Sequence, residues 1–295
     1  IKKMNKHLRI IPRLDVKGPN LVKGIHLEGL RVLGKPGDYA QHYYENGADE
    51  IFFQDSVASL YNRNNLDSIV KQTAKNVFIP IAVGGGIRTL EDIRSILRAG
   101  ADKVSINTAA LKDPNFLKKA VSEFGSSTII SSMEVIETSN NRFELFTDCG
   151  REETGVEVLE WIKRVQDLGV GEILITSVDN EGAGKGFNLK LIELTQDIVE
   201  IPYIIHGGPG NFNHIKDILA NEYKIDGLAL ASILHYDLID LIGNDMNQGF
   251  EDEGNIEFLR NIKNVPGRKR INPISIKQLK NKINKETNYK VRNYE

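Results

Sequence analysis

The chain has few groups that could cross-link it or bind a metal through sulfur. Its 295 residues include one cysteine, Cys149, which excludes an internal disulfide bond and a cysteine-based zinc site and fits a reducing compartment. The formal net charge is only −2, so neither a nucleic acid nor an anionic membrane is expected as a partner. No apolar run approaches the roughly 20 residues of a membrane span, and the first residues lack the apolar stretch of a signal peptide. We therefore expect a cytoplasmic protein.

Two glycine clusters are the most informative feature that is present. One lies within Val83–Arg88 and the other within Ile205–Gly210. Each follows a short, apolar, β-branched run and precedes a helical pattern. A glycine cluster between a strand and a helix lets backbone N–H groups approach a phosphate. A single cluster of this kind is more often structural, but the pair indicates a substrate with a phosphate at each end.

The two halves of the chain repeat each other. Four pairs of equivalent positions lie 119 to 124 residues apart: Asp15 and Glu134, Glu50 and Glu172, Gly85 and Gly208, and Asn107 and Ala231. One strand with its crossover helix takes about 30 residues, so eight such units fill about 240 residues. The repeat therefore predicts an α/β fold, a (β/α)8 barrel built from two duplicated half-barrels.

The predicted barrel strands are short and apolar. Their ranges are 9–15, 50–55, 77–83, 102–107, 128–134, 172–177, 202–206 and 226–231. Thr89 is a candidate N-cap for the clearest helix, in which Ile93, Ile96 and Leu97 share one face. Residues 135–149 alternate in polarity around Asn140 and Asn141, which predicts a β-hairpin over the barrel mouth.

Carboxylates stand at the ends of several predicted strands. Barrel enzymes place their chemistry at the carboxyl ends of the strands. Asp15 ends strand one and Glu134 ends strand five on the opposite side of the ring, so they suit a general acid and a general base. The alternative is a pair of solvated turn carboxylates. Asp179 either binds a substrate hydroxyl or caps the next loop, and Lys23 either neutralises a phosphate or is an ordinary surface lysine.

Charged residues also stand at the beginnings of four predicted strands, at the opposite end of the barrel. They are Arg9, Glu50, Lys103 and Glu172. These charges could form a solvated rim. Because unpaired buried charge is unfavourable, we expect instead a closed ring of two cations and two anions at the barrel floor, which could also act as a gate.

Several motifs in order carry a family resemblance. They are Leu14–Lys17, Leu21–Gly24, Val83–Ile87, Gly100–Ala110 and Gly171–Ser177. Together they closely resemble the cyclase subunit of imidazole glycerol phosphate synthase. The resemblance covers residues 8–236 and resumes at 274 in a C-terminal helix. We accordingly divide the chain into an N-terminal extension (1–7), the barrel (8–236), an insertion (237–273) and a C-terminal helix that packs on the barrel (274–295).

The resemblance implies a reaction and a partner. Members of the family take ammonia from a glutaminase subunit at the barrel floor. They use it to convert a bis-phosphorylated ribulosyl-aminoimidazole carboxamide ribotide into imidazole glycerol phosphate and aminoimidazole carboxamide ribotide, in histidine biosynthesis, with no metal or organic cofactor. The resemblance makes Asp15 and Glu134 catalytic and the floor ring an ammonia gate. The implied substrate- and phosphate-binding residues are Lys23, Gly85, Gly86, Asn107, Thr108, Thr176, Asp179, Glu181, Gly182, Gly207, Gly208, Ala231 and Ser232.

The mouth departs from the family pattern at four positions. Glu134 and Glu181 stand where the family has aspartate, and Arg13 and His206 stand where it has small residues. Two interpretations stay open: a variant cyclase of the histidine pathway, or a paralogue that forms an amidino group on a nucleotide sugar or surface polysaccharide precursor. A catalytically inactive binding subunit is disfavoured, because Asp15 and both glycine loops are present.

Overall fold

The computed structural model describes residues 7–58, 66–139, 142–242 and 268–292. Four predicted features lie partly or wholly outside these ranges. They are the N-terminal extension apart from His7, the turn pair Asn140 and Asn141, positions 243–267 of the predicted insertion, and positions 293–295 of the predicted C-terminal helix.

A closed barrel of eight parallel strands forms the centre of the molecule, as the repeat predicted. The described part of the chain has twelve strands, of which eight form the barrel. They are β1 (Arg9–Lys17), β2 (Asn20–Ile25), β3 (Glu28–Gly34), β4 (Ile51–Asp55), β5 (Ile81–Gly84), β6 (Lys103–Ile106), β7 (Ile129–Glu137), β8 (Phe143–Thr147), β9 (Glu152–Glu157), β10 (Glu172–Ser177), β11 (Tyr203–His206) and β12 (Gly227–Leu230). The barrel order is β1-β4-β5-β6-β7-β10-β11-β12, and β12 pairs with β1 to close it. All eight pairings are parallel.

Two antiparallel hairpins extend from equivalent strands of the two halves. The predicted hairpin after β7 is confirmed, since β8 pairs with β7, and β9 continues it. A second hairpin, β2 and β3, follows β1 and was not predicted. The first half-barrel comprises β1, β4, β5 and β6, and the second comprises β7, β10, β11 and β12. Because each half has its hairpin after its first strand, the architecture supports the duplication.

The third barrel strand is shorter than predicted. The sequence placed it at 77–83, whereas β5 begins at Ile81. The backbone N–H of Val77 still bonds to the carbonyl of Thr73 in the turn after the preceding helix, and Phe78 is 75% exposed. Apolar, β-branched residues therefore extended the prediction into a turn that packs outside the sheet.

Helices surround the barrel. They are α1 (Pro36–Glu45), α2 (Asp67–Thr73), α3 (Leu90–Ala99), α4 (Thr108–Lys112), α5 (Pro114–Phe124), α6 (Val158–Asp167), α7 (Leu189–Thr195), α8 (Phe212–Ala220), α9 (Ser232–Ile242) and α10 (Ile276–Glu286). Thr89 caps α3 as predicted, in a reciprocal capping box with Asp92. None of the described helices is long and apolar enough to cross a membrane.

The inside of the barrel is built in layers, because alternate residues of each strand point inward. Along β1 the inward positions are Arg9, Ile11, Arg13 and Asp15. Arg9 lies at the floor, and Ile11 belongs to an apolar layer above it. That layer comprises Ile11, Phe52, Ala82, Ile130, Leu174, Ile204 and Ala229. Polar side chains follow above this layer, so the lumen changes from charged to apolar to polar from floor to mouth.

The C-terminal helix α10 lies against the barrel near α8. Its buried face includes Leu279 and Ile283. The ammonium of Lys280 is also buried and lies 2.7 Å from Oδ1 of Asp49. Helix α9 continues to Ile242, so the boundary proposed at position 236 falls within this helix.

Candidate active site

A large cavity opens at the carboxyl ends of the barrel strands. It has a volume of about 520 Å³, within the range of small-molecule sites. Its walls come from the ends of β4 to β7, the loops that follow them, and the hairpin after β7. The residues that line it include Gln54, Asp55, Gly85, Gly86, Ser105, Asn107, Thr108, Ser132, Glu134, Asp148 and Cys149.

Glu134 is one of the two predicted catalytic carboxylates, and it faces this cavity. Its Oε2 accepts a hydrogen bond of 3.0 Å from the backbone N–H of Gly150. Burial raises the pKa of Glu134 to about 7, and Arg13 and the Gly150 N–H oppose this shift without cancelling it. Near neutral pH the group can therefore both hold and release a proton.

Asp15, the other predicted catalytic residue, is engaged by an arginine. The Nε of Arg13 donates to Oδ1 of Asp15 at 3.0 Å, and both side chains are almost completely buried. Asp15 and Arg13 both act electrostatically on Glu134. The structure thus brings the two carboxylates into one electrostatic unit with Arg13 as its cation.

Arg13 is fixed in the lumen by residues from three other strands. Its Nη1 donates to Oγ1 of Thr176 and also contacts Nδ1 of His206, each at 3.1 Å. The guanidinium carbon lies 6.0 Å from the ring centre of Phe52, in the apolar layer below. Thr176, predicted to bind substrate, is completely buried and bonds to this arginine.

His206 is held in its neutral form. Burial lowers its pKa well below the usual value, and Arg13 and Lys23 lower it further. Because a guanidinium can only donate, the contact with Arg13 makes Nδ1 the acceptor and assigns the ring proton to Nε2.

Lys23 is paired within the protein. Its Nζ lies 2.5 Å from Oε1 of Glu181 and also donates to the carbonyl of Gly24. The second oxygen of Glu181 accepts from the backbone N–H of Leu27 at 3.0 Å. Glu181 and the adjacent Gly182 therefore attach the loop after β10 to the first hairpin, with the Lys23 cation between them.

The first glycine loop borders the large cavity. Gly85 has a φ of +93°, and a Cβ there would overlap with the carbonyl oxygen of Asp55, so the backbone itself requires glycine. Gly86, Asn107 and Thr108 line the same part of the cavity. Oδ1 of Asn107 and Oγ of Ser105 are buried without a hydrogen-bond partner. This part of the cavity is thus lined by glycine backbone and by two polar atoms that are available to bind a ligand.

The second glycine loop borders a much smaller cavity of about 20 Å³, which is close to the space of one water molecule. The predicted residues that line it are Glu181, Gly182, Gly207, Gly208, Ala231 and Ser232. Ile271, from the segment before α10, also lines it. The backbone N–H of Asn272 bonds to the carbonyl of Gly210 at 2.7 Å. This segment explains why the two glycine loops, although equivalent in the repeat, border cavities of different size.

Asp179 lies away from both cavities. It is exposed, and its Oδ2 accepts from the backbone N–H of Glu137 at 2.9 Å. This contact joins the loop after β10 to the end of β7, and the binding of a substrate hydroxyl by Asp179 stays a prediction.

The four floor charges form a closed ring. Arg9 lies 3.0 Å from Glu50 and pairs with Glu172 as well. Lys103 lies 2.9 Å from Glu50 and 3.0 Å from Glu172. Burial raises the pKa of Glu50 although Lys103 and Arg9 lower it. Because each carboxylate bridges both cations, the ring satisfies its charges mutually, as the sequence led us to expect.

Sequence reasoning did not identify several residues of the mouth. Gln54, Ser105 and Ser132 line the large cavity, and the hairpin adds Asp148 and Cys149. Gln54, Ser105 and Ser132 were detectable, because they continue the inward, every-second-residue pattern of their strands. Cys149 carried no such signal. In the part of the chain that the structure describes, no group of three or more His, Cys, Asp or Glu residues is arranged to hold a metal ion.

Comparison with known proteins gives the family. The model for the histidine biosynthesis protein family matches residues 9–240, and the chain belongs to that family. It is 54% identical to the imidazole glycerol phosphate synthase subunit HisF of Legionella pneumophila over 210 residues, which cover 71% of this chain and 99% of that protein. These findings confirm the resemblance read from the motifs: the protein is an enzyme of the imidazole glycerol phosphate synthase cyclase type, in histidine biosynthesis.

Proposed function

We propose that this chain uses ammonia to convert a ribulosyl-aminoimidazole carboxamide ribotide into imidazole glycerol phosphate and aminoimidazole carboxamide ribotide. The observation that carries the proposal is the mouth itself. Asp15 and Glu134, from equivalent positions of the two half-barrels, share one electrostatic unit there. The two glycine loops flank them on opposite sides of the barrel. A substrate with a phosphate at each end would span this arrangement with its reacting centre near the carboxylates.

The two carboxylates suit different proton-transfer roles. Asp15 is held through its Oδ1 by the Arg13 guanidinium, and we assign it the role of general base. Glu134 has a pKa raised to about 7 by burial and can supply a proton as a general acid near neutral pH. The different surroundings of the two carboxylates support such a division of roles.

Ammonia is proposed to enter at the floor ring, supplied by a glutaminase subunit that docks there. The ring supports this role because its cations are the more exposed members, with side-chain exposures of 28% for Arg9 and 20% for Lys103. The Legionella relative is itself described as a subunit. The apolar layer above the ring favours passage of neutral ammonia over ammonium, since burying an unpaired charge is unfavourable.

An ammonia-dependent assay with the ribotide tests the proposal. The isolated wild-type chain should form both products from free ammonia. Asp15→Asn keeps the shape of the side chain but removes the base, so turnover should fall by about 10²-fold or more. Asp197→Asn is the matched control, because this exposed aspartate lies between α7 and β11, pairs with Lys224 and lines neither cavity, and its turnover should stay near wild type. Near-normal turnover of Asp15→Asn would contradict the assignment.

Arg13 and His206 give a reason to keep a second candidate substrate in the test. Both bulky, polar side chains lie at the mouth and have no counterpart in the family pattern. If the mouth serves a sugar precursor instead, the wild-type chain should show no cyclase activity with saturating ammonia. Glu134→Asp, which restores the family residue, should then also show none. Activity retained or improved in Glu134→Asp would support the cyclase reaction.

A further inference from the structure

Arg13 is a buried cation to which the proposed reaction assigns no role of its own. Its side chain is 3% exposed, and it lies directly above the apolar layer of the lumen. A buried guanidinium is unfavourable unless its donors are satisfied, so its partners define its role. Those partners come from four barrel strands, because Asp15 is on its own strand, Phe52 is on β4, Thr176 is on β10 and His206 is on β11.

The contacts of Arg13 with Thr176, His206 and Phe52 hold the guanidinium, whereas its contact with Asp15 holds the carboxylate. Thr176 and His206 each lie 3.1 Å from Nη1, and the Phe52 ring lies below the guanidinium. They hold the planar group independently of Asp15. In the described part of the chain, Arg13 is the only side chain that donates a hydrogen bond to the Asp15 carboxylate. Arg13 is thus anchored by several residues, whereas the Asp15 side chain is oriented by Arg13.

We infer that Arg13 is a positioning residue of the reaction, which binds Oδ1 of Asp15, fixes the orientation of this carboxylate and leaves Oδ2 to take the substrate proton. The inference rests on the proposed role of Asp15 as the base. Thr176 and the neutral ring of His206 are the supports that aim the guanidinium. A lysine could not replace it fully, because a single ammonium lacks the planar set of donors that reaches Asp15, Thr176 and His206 together.

Other charged and titratable groups act on the same unit. Those facing Asp15, Arg13 or His206 are Lys23, Glu134, Cys149, Glu181 and His235. Lys23 and Glu181 already pair with each other. Burial raises the pKa of Glu134 and of Cys149 and lowers that of His235, which favours their neutral forms. Arg13 is therefore the cation left to balance the charge of Asp15.

The test compares crystal structures of wild type, Arg13→Gln and the conservative variant Arg13→Lys. Arg13→Gln shortens the side chain and removes the guanidinium that binds Oδ1 of Asp15, so the Asp15 side chain should leave its wild-type orientation. Arg13→Lys should disturb this orientation less. An unchanged Asp15 orientation in folded Arg13→Gln would overturn the inference, and this result does not depend on which substrate the enzyme turns over.

Kinetics separate positioning from a merely structural role. Arg13→Gln should lower kcat by about tenfold or more with little change in KM, and Arg13→Lys should keep part of the lost turnover. Thr176→Val removes one support but keeps the cation. It should lower kcat by a few fold. If Asp15→Asn is inactive while Arg13→Gln keeps the wild-type kcat, the inference fails and the proposed function stands. If wild type itself forms no product, the proposed function fails and the crystal structures still decide the inference.

Discussion

At the scale of the residue, the site depends on how burial and charge divide two similar carboxylates. Asp15 has a guanidinium at hydrogen-bond distance, whereas in the described part of the chain the hydrogen-bond donor to Glu134 is the backbone N–H of Gly150. A buried carboxyl without a direct cation partner favours its neutral form, which raises the pKa of Glu134. This raised pKa therefore arises from burial and not from the small difference in intrinsic acidity between aspartate and glutamate.

The protonation of Glu134 should make stability depend on pH. Its pKa is raised from 4.5 to about 7 in the folded protein. Between these values the folded state holds a proton that the unfolded state has lost, so stability should fall as pH rises from about 4.5 to about 7. Glu134→Gln cannot titrate and therefore removes this pH dependence. In denaturant unfolding, the free energy of unfolding of Glu134→Gln minus that of wild type should be larger at pH 8 than at pH 5, by up to about 3 kcal/mol.

The matched control for this prediction is Glu160→Gln, at an exposed position of α6. Surface changes of this kind usually alter stability by less than about 0.5 kcal/mol, and we expect that at both pH values. A pH-independent difference between wild type and Glu134→Gln would show that the carboxyl is not protonated in the folded state at pH 5.

At the scale of the element, the strand–loop–helix unit combines a structural requirement with a binding surface. Gly85 follows β5 with a positive φ and close to the Asp55 carbonyl, so the loop would require glycine even without a ligand. The unused Oδ1 of Asn107 and Oγ of Ser105 are the features that point to a ligand here, because buried polar atoms without partners are rare. Function and folding thus impose separate demands on the same few residues.

Gly85→Ala, compared with a glycine of similar φ elsewhere, tests whether the close approach to Asp55 matters beyond backbone strain. The added Cβ would overlap with the Asp55 carbonyl, so the loop must move and should lose affinity for inorganic phosphate. The expected destabilisation is about 1 to 3 kcal/mol, typical of overpacking. Gly155→Ala is the control, because it has a similarly positive φ of +68° but no atom within 4 Å of the added Cβ. Phosphate titration and denaturant unfolding of both variants measure the effects, and equal phosphate affinity in the two would contradict the prediction.

At the scale of the whole molecule, charges join the barrel to the elements around it. The floor ring links the beginnings of four barrel strands, β1, β4, β6 and β10, through Arg9, Glu50, Lys103 and Glu172. On the outside, Lys280 of α10 pairs with Asp49, whose other oxygen accepts from the backbone N–H of Ile10 at 2.8 Å. This second contact connects the C-terminal helix to the beginning of β1.

Asp49→Ala should destabilise the protein strongly, because it leaves the Lys280 ammonium buried without its carboxylate. Loss of one partner of a buried pair typically costs 3–5 kcal/mol, roughly the magnitude expected in denaturant unfolding. The control is Glu286→Ala, which removes an exposed pair between the same helix and Lys216 and should cost less than about 1 kcal/mol. Asp49→Ala combined with Lys280→Met should recover part of the loss, and a double variant no more stable than Asp49→Ala would argue against the pair as the cause.

Lys103→Ala tests the ring as a gate in the complex with a glutaminase subunit. Its removal leaves Glu50 and Glu172 with one cation, which should open or distort the ring. We expect more glutamine to be hydrolysed per product formed, while turnover with free ammonia stays close to wild type. Lys75→Ala removes an exposed lysine just before β5 and should leave the ratio unchanged. An unchanged ratio in Lys103→Ala would argue against a gating role.

The sequence by itself determined the architecture, the floor ring and the places of Asp15 and Glu134 in the barrel. The repeat offsets gave the barrel because each βα unit is a local element whose pattern is readable within about 30 residues. The alternation along a strand also gives the direction of a side chain, which is why the floor ring and the pair of mouth carboxylates could be predicted. Where local composition was ambiguous, as in the apolar turn before Ile81, the boundary of the strand was wrong.

Only the tertiary structure decided which side chains meet. Arg13 bonds to Thr176 and His206, which lie 163 and 193 residues away along the chain, and Lys280 reaches Asp49 across 231 residues. Ile271, distant in sequence, lines the cavity of about 20 Å³ beside the second glycine loop. Such contacts depend on the closure of the barrel and on packing between remote segments. A local pattern fixes the face on which a side chain lies, but not the partner that it meets there.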